Sequence, residues 1–261
     1  MGKIFAVIGE DARQLAAADY LRSQGYPVLC ADETYRADYL LLPMPLSADK
    51  AGLARLLRAA KPGALAFGGR VSAEAAAAAE AAKVSLQDYF EREELAQLNA
   101  IPTAEGCIGL LLANRSKTLW GQPVLVLGYG RIGQAVARRL AALGARVTVA
   151  ARKPGQQAMA LADGCRAIPL GQLATCAAGQ DTVVNTIPAP VLTYQVLAAL
   201  GGGALVVDLA SLPGGTDFDA ARQLGVQALH ALSLPAKCAP QTAGEFVARA
   251  VLAMLEERGE L

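Results

Sequence analysis

The sequence is short of several things that would point to function directly. It has a single histidine, His230, and five cysteines (Cys30, Cys107, Cys165, Cys176, Cys238) with no CxxC pair. A metal site is therefore not expected, and the cysteines read as small buried hydrophobes in a reducing compartment. Neither charge sign is in excess: 24 Lys+Arg stand against 23 Asp+Glu, a net charge of +1. That leaves no electrostatic footprint for nucleic acid or an anionic membrane. Charged residues are only 18% of the chain and apolar ones 54%, which excludes disorder because so much apolar surface offsets chain entropy on burial.

A mean hydropathy of +0.32 raises the membrane question. The longest uncharged run, 182–207, could span a bilayer by length, but Asn185, Pro188, Pro190 and the glycines at 201–203 break it. It reads as strand, loop, helix, turn, strand. The opening MGKIFAVIGEDAR holds too short an apolar stretch for a signal peptide, and Ala6 stands where myristoylation wants Ser or Thr. The expectation is a cytoplasmic protein.

What is present is an alternation of strand and helix over 261 residues, enough for one to two domains. Ile4, Val7 and Ile8 form a first strand, Gly9 a turn, and Asp11 an N-cap for a helix buried through Leu15, Ala18 and Leu21. Strands at 27–30, 39–42 and 64–67 follow, with helices at 49–60 and 72–82 between them. A second unit begins near Pro123, with strands at 124–127, 146–150, 182–185, 204–208 and 226–229. Its first helix, 132–143, is buried through Ile132, Val136, Leu140 and Leu143. A helix at 103–114, capped by Thr103, joins the halves, and another closes the chain at about 241–258. The pattern predicts an α/β protein of two Rossmann-like, doubly wound parallel-sheet domains with a cleft between them, 1–101 and 102–261.

Gly128-Tyr129-Gly130-Arg131-Ile132-Gly133 matches G-x-G-x-x-G between a strand and an amphipathic helix, the context that makes the motif specific. Gly128 permits the tight turn, Gly130 lets a pyrophosphate reach backbone N–H groups at the helix start, and Gly133 lets helix and strand approach. At the end of the next strand an NAD enzyme usually carries a carboxylate; this chain reads Ala150-Ala151-Arg152-Lys153. Two adjacent cations suit the 2′-phosphate of NADP, Arg152 as planar bidentate partner and Lys153 as point charge; otherwise both are solvated loop cations. Loops at the carboxyl ends of parallel strands line the ligand crevice. Asn185, Thr186, Ile187 and Pro188 in one, and Asp208, Ala210 and Ser211 in the next, are the candidates for its nicotinamide end. Asp208 either contacts cofactor or caps a turn.

The chain resembles the A-component family of dipicolinate synthases from end to end. The resembling segments are IGEDARQ (8–14), FEREELAQLNAIPTAEG (90–106), VLVLGYGRIG (124–133), VTVAARK (147–153), NTIPA (185–189), VVDLASLPGGTDF (206–218) and LPAKCAPQTAG (234–244). The resemblance implies NADP-dependent oxidation of a dihydro- or 4-hydroxytetrahydro-dipicolinate to dipicolinate. It further implies a flavoprotein-like second subunit, a homo-oligomer, and a role in endospore formation in the mother-cell cytosol. Two departures bear on the substrate rather than the cofactor. The loop after Pro43 and Pro45 is trimmed, and the family's G-L-P-G-K reads Ser233-Leu234-Pro235-Ala236-Lys237.

A dicarboxylate substrate calls for cations and N–H donors. Arg13 is the first candidate anchor, with Gln14 beside it and Asp11 either orienting Arg13 or capping the helix. Arg70 and Lys237 are further cations, each balanced against a plain surface charge. For proton removal, Glu105 beside Thr103 would serve if burial raised its pKa; it is equally a helix-dipole partner. His230 suits acid–base work by type, though a bland role is favoured. Two other function classes remain open: an alanine or 2-hydroxyacid dehydrogenase-like enzyme, and a non-enzymatic NADP-sensing protein. Against the 2-hydroxyacid enzymes, Ala210-Ser211 occupies the loop where they carry an arginine, and none follows before Arg222.

Overall fold

The computed structural model describes residues 2–47, 52–200 and 203–261. The chain divides into two compact units, Met1–Asn99 with Ala239–Leu261, and Ala100–Cys238.

In the first unit, strands β1 (Phe5–Val7), β2 (Val28–Leu29), β3 (Tyr39–Leu41), β4 (Leu65–Gly68) and β5 (Ser85–Asp88) form one parallel sheet in the order β2-β1-β3-β4-β5. Alternation with period two sorts its residues to two faces. Phe5, Tyr39, Leu41 and Phe67 pack with helices α1 (Ala12–Ser23) and α11 (Pro240–Glu257), while Ala6, Leu40, Leu42 and Ala66 pack with α2 (Leu53–Arg58) and α3 (Ala73–Ala81). The helix expected at 49–60 is present as α2; its expected first residues lie outside the described ones, as does the start of the loop that the resemblance marks as shortened.

Asp11 caps α1 as expected, its Oδ1 accepting from the Arg13 N–H at 2.9 Å and the Gln14 N–H at 3.3 Å. The buried stripe is displaced, however: Gln14, Ala17, Ala18 and Leu21 are inside and Leu15 is exposed. Small residues let α11 come close. A Cβ on Gly244 would fall 2.7 Å from the Ala16 Cβ and strike the Arg13 carbonyl. The C-terminal helix, expected with the second half of the chain, therefore belongs to the first unit. Right-handed crossovers put α2 and α3 on one face of the sheet and leave much of the other bare beside α1; α11 covers it.

The second unit is a six-stranded parallel sheet, order β11-β10-β9-β6-β7-β8, made of β6 (Pro123–Leu127), β7 (Arg146–Ala151), β8 (Arg166–Pro169), β9 (Thr182–Asn185), β10 (Leu205–Asp208) and β11 (Gln227–His230). One face packs on α5 (Arg131–Ala142) and α6 (Pro154–Ala162), the other on α7 (Leu173–Ala177), α8 (Tyr194–Leu200) and α9 (Phe218–Gln223). In α5 the small residues Gly133 and Ala137 join Val136 and Leu140 on the buried side. Leu143, its C-cap, is exposed.

The joining helix α4 runs over Glu93–Ala113, ten residues before the expected start, so Thr103 is a buried mid-helix residue and not a cap. Pro102 sits inside it and removes one ladder donor; its own carbonyl accepts from the Cys238 thiol at 3.2 Å. Cys238 follows Lys237 in the short helix α10 (Leu234–Cys238). Helix α4 is long and apolar enough to cross a membrane by length and composition. It serves here as a core helix, with Leu95 in the first unit's core and Ala104, Cys107 and Leu111 in the second's. Of the cysteines, Cys107 and Cys165 are buried, and burial pushes the Cys107 thiol up to about 12. Cys30 and Cys238 are exposed, against expectation.

Candidate functional site

In the second unit the strand order reverses between β6 and β9, where a doubly wound sheet opens its crevice. The glycine turn leaves β6 at this point. Gly128 has φ +89°, and a Cβ there would lie 2.5 Å from the Thr186 hydroxyl. A Cβ on Gly133 would run into the Gly128 carbonyl, the close helix–strand approach the motif predicts. Gly130 is different. It is the N-cap of α5, with no side-chain cap, and a Cβ there would meet nothing within 4 Å. The space it faces is a groove of about 580 Å³ lined by Tyr129, Gly130, Arg131, Gln134, Lys153, Gly155, Gln156 and Met159. First-turn N–H groups of a helix favour an anion, so the residues present fit a dinucleotide pyrophosphate.

The two walls of this groove are tied together. The Tyr129 phenol is buried and donates to the Asp163 carboxylate, C-cap of α6, at 2.6 Å; the Arg138 guanidinium of α5 donates to the same oxygen at 2.9 Å. Both hold the Asp163 carboxyl below the usual range, the phenol first, while burial raises that phenol's own pKa. Tyr129 is thus a strut, its carbonyl in turn accepting from the Gln134 amide at 3.2 Å. Ile132 packs on the sheet. Of the expected phosphate cations, Lys153 lines the groove and Arg152 is exposed outside its lining; Arg131 lines the groove as well.

The loops after β9 and β10 stand where expected, but their polar side chains face inward. Asn185 and Asp208 are both fully buried and bonded to each other at 2.9 Å. Asp208 also accepts from the Ala210 and Gly215 N–H groups, each at 2.9 Å, and from the Thr216 hydroxyl at 2.7 Å. Neither side chain is available to a cofactor. The Thr186 hydroxyl donates to the Leu127 carbonyl at 2.7 Å; Ala210 is buried, and Pro188 and Ser211 are exposed. Asp163 was missed by sequence reasoning; Thr216 stands in the loop expected to line the crevice, but its bond to Asp208 was not foreseen. For Thr216 the signal was its place eight residues beyond Asp208, inside the quoted GGTDF segment.

Glu105 is exposed, with Arg139 of α5 at 3.8 Å. That arginine is eight residues into the helix, about 12 Å along its axis from the glycine turn. The burial that would make Glu105 a base is not there. His230 Nε2 meets the Ala210 carbonyl at 3.0 Å, and its ring stacks on Phe218 at 5.3 Å. Lys237 is exposed, and Ser233, before its helix, has φ +59°.

In the first unit the order reverses between β1 and β3. Arg13 lies at that edge in a small recess with Asp11, Gln14, Met44, Tyr89 and Val247. Its Nη2 donates to the Met44 carbonyl at 3.0 Å, and Nε lies 3.4 Å from Asp11 Oδ1, so Asp11 both caps and orients. The Gln14 amide is buried and donates to the Ile8 carbonyl at 2.9 Å; it supports the turn and does not face outward. Arg70, exposed, has φ +52°, and its N–H is held by Asp88 at 3.0 Å.

Comparison with known proteins adds to this geometry. Residues 110–210 match the family described as D-isomer specific 2-hydroxyacid dehydrogenase, NAD binding domain, which supports a nicotinamide dinucleotide as cofactor. The dipicolinate synthase A component of Bacillus subtilis (strain 168) is 41% identical over 176 residues, which span 67% of this chain and 59% of that relative. The crystal structure of the corresponding dipicolinate synthase component from Bacillus halodurans is similar over 98% of both chains, at 32% identity and a TM-score of 0.87. That of the Bacillus subtilis protein is similar over 100% of this chain and 98% of its own, at 33% identity and the same TM-score.

Proposed function

This chain belongs to the A-component family of dipicolinate synthases, and from that membership we propose that it is the NADP-dependent oxidoreductase component forming pyridine-2,6-dicarboxylate. The dihydro ring substrate loses a hydride and a proton to become aromatic; a 4-hydroxytetrahydro substrate loses water as well. Bound NADP would supply the hydride acceptor. The observation that carries the reading is Gly130, whose missing side chain opens onto a groove flanked by Arg131 and Lys153.

In this reading the first-turn N–H groups of α5 hold the pyrophosphate, and Lys153, just past the strand end where an NAD site would carry a carboxylate, holds the 2′-phosphate with Arg131 across the groove. Loops 186–190 and 209–215 flank the nicotinamide. Arg13, its guanidinium already fixed by Asp11 and Met44, takes a substrate carboxylate, with Arg70 of the same unit as a further cation. A pre-fixed guanidinium loses less rotamer freedom on binding than a free one. The flavoprotein-like second subunit, a homo-oligomeric state and the mother-cell cytosol complete the proposal. The 2-hydroxyacid alternative is disfavoured by the loop after β10, which offers Ala210 and Ser211 and no arginine.

The test is reduction of NADP by the chain with freshly formed 4-hydroxytetrahydro-dipicolinate, with and without the second subunit. Substrate-dependent NADPH formation supports an enzyme and excludes a sensor. NADP binding without turnover in either mixture contradicts the oxidoreductase assignment.

A further inference from the structure

We propose that Thr216, acting through Asp208 and Asn185, is a positioning residue that sets the two loops at the nicotinamide end; this rests on the cofactor reading above. Asn185, Asp208 and His230 end three neighbouring parallel strands and stand in one register, Asp208 opposite each of the others. Between them lies the fully buried Asp208 carboxylate. A buried carboxylate is costly unless its lone pairs are filled. Here all four donors are neutral, one from the end of β9 and three from the loop after β10: Asn185 Nδ2 and the Ala210 N–H on one oxygen, the Gly215 N–H and the Thr216 hydroxyl on the other.

The carboxylate is therefore the point on which both loops converge. Asn185 passes the constraint to the first loop, its side chain accepting from the Ile187 N–H at 3.0 Å and donating to the Ile187 carbonyl at 3.1 Å. Gly215 must be glycine for this approach, since a Cβ there would meet the Asn185 amide and the Ile187 and Ala189 carbonyls. The Thr186 hydroxyl joins that loop to the end of β6, directly before the glycine turn. From the far side His230 holds the second loop, and a carbonyl partner requires its proton on Nε2. None of these groups offers a donor to the cofactor. What they determine is where the main chain of 186–187 and 210–211 stands, and with it the nicotinamide.

Thr216 is the member that can be edited with its volume kept. Thr216→Val removes the hydroxyl, and Thr216→Ser keeps it. Two probes separate the ends of the site: NADPH, whose emission reports the nicotinamide surroundings, and 2′,5′-ADP, which fills only the adenosine half. Thr216→Val is expected to weaken NADPH roughly fivefold and to shift its bound emission, with 2′,5′-ADP unchanged; Thr216→Ser restores both. Unchanged NADPH affinity and emission in the valine variant overturns the proposal. So does equal weakening of both probes, which marks a general structural support. If the wild-type chain binds neither probe, the cofactor reading itself falls and this falls with it. Should the valine variant not fold, Thr216→Ala provides the same contrast.

Discussion

Three glycines in one turn have three different physical jobs, and only one of them faces ligand. Gly128 and Gly133 are required by the fold, through a left-handed φ and a collision with backbone. Gly130 has no neighbour within 4 Å of a would-be Cβ. Gly130→Ala should therefore still fold, losing no more than about 1 kcal/mol because alanine is the poorer N-cap, yet bind NADP at least about tenfold more weakly; calorimetry and titration together check this. A second residue follows from the family resemblance. Ser233 stands where the resemblance implies a glycine, and it sits at φ +59°, where a side chain costs roughly 1–2 kcal/mol. Ser233→Gly should raise Tm by a few degrees in a thermal melt. The glycine spacing was legible in the sequence. The roles of Asn185 and Asp208 were not, because a polar residue at a strand end reads alike whether it turns outward to ligand or inward to a network.

Among the elements, the buried strands declared themselves and two of the edges did not. The strands expected near β1–β4, β6, β7, β9, β10 and β11 have apolar runs or alternation, whereas β5 (Ser-Leu-Gln-Asp) and β8 (Arg-Ala-Ile-Pro) carry little of either. Both stand at a sheet edge with one neighbour, so less apolar surface is needed. Pro102 marked a boundary that α4 runs through, since packing in two cores outweighs one lost ladder bond. The amphipathic α11 was visible, but not which sheet it covers; sequence proximity suggested the second unit and the bare face of the first decided it. Helices α5 and α6 are coupled through Asp163. Its carboxyl titrates below the unfolded value near 3.8, so the coupling contributes stability above that pH and loses it as pH falls through the lower folded value. Tyr129→Phe removes the larger cause of the depression. Its Tm should fall less steeply than wild type below about pH 4, as melts across pH 2–6, about two units either side, would show.

At the scale of the whole molecule, two doubly wound sheets account for the binding edges: each has its reversal in strand order, β1/β3 and β6/β9, and each places its candidate residues at the carboxyl ends there. In the proposed function the dinucleotide is assigned to the groove and glycine turn of the second unit, and a substrate carboxylate to Arg13 of the first. The proposed function requires that the second unit take a phosphorylated nicotinamide dinucleotide. Thermal unfolding with NADP, NADPH, NAD and NADH at one saturating concentration tests it most directly, because a ligand at about 100 times its Kd adds roughly 2.7 kcal/mol. NADP and NADPH should stabilise the chain well above NAD and NADH, with the difference reduced more by Lys153→Ala or Arg131→Ala than by Arg152→Ala. Equal or greater stabilisation by NAD and NADH would contradict it.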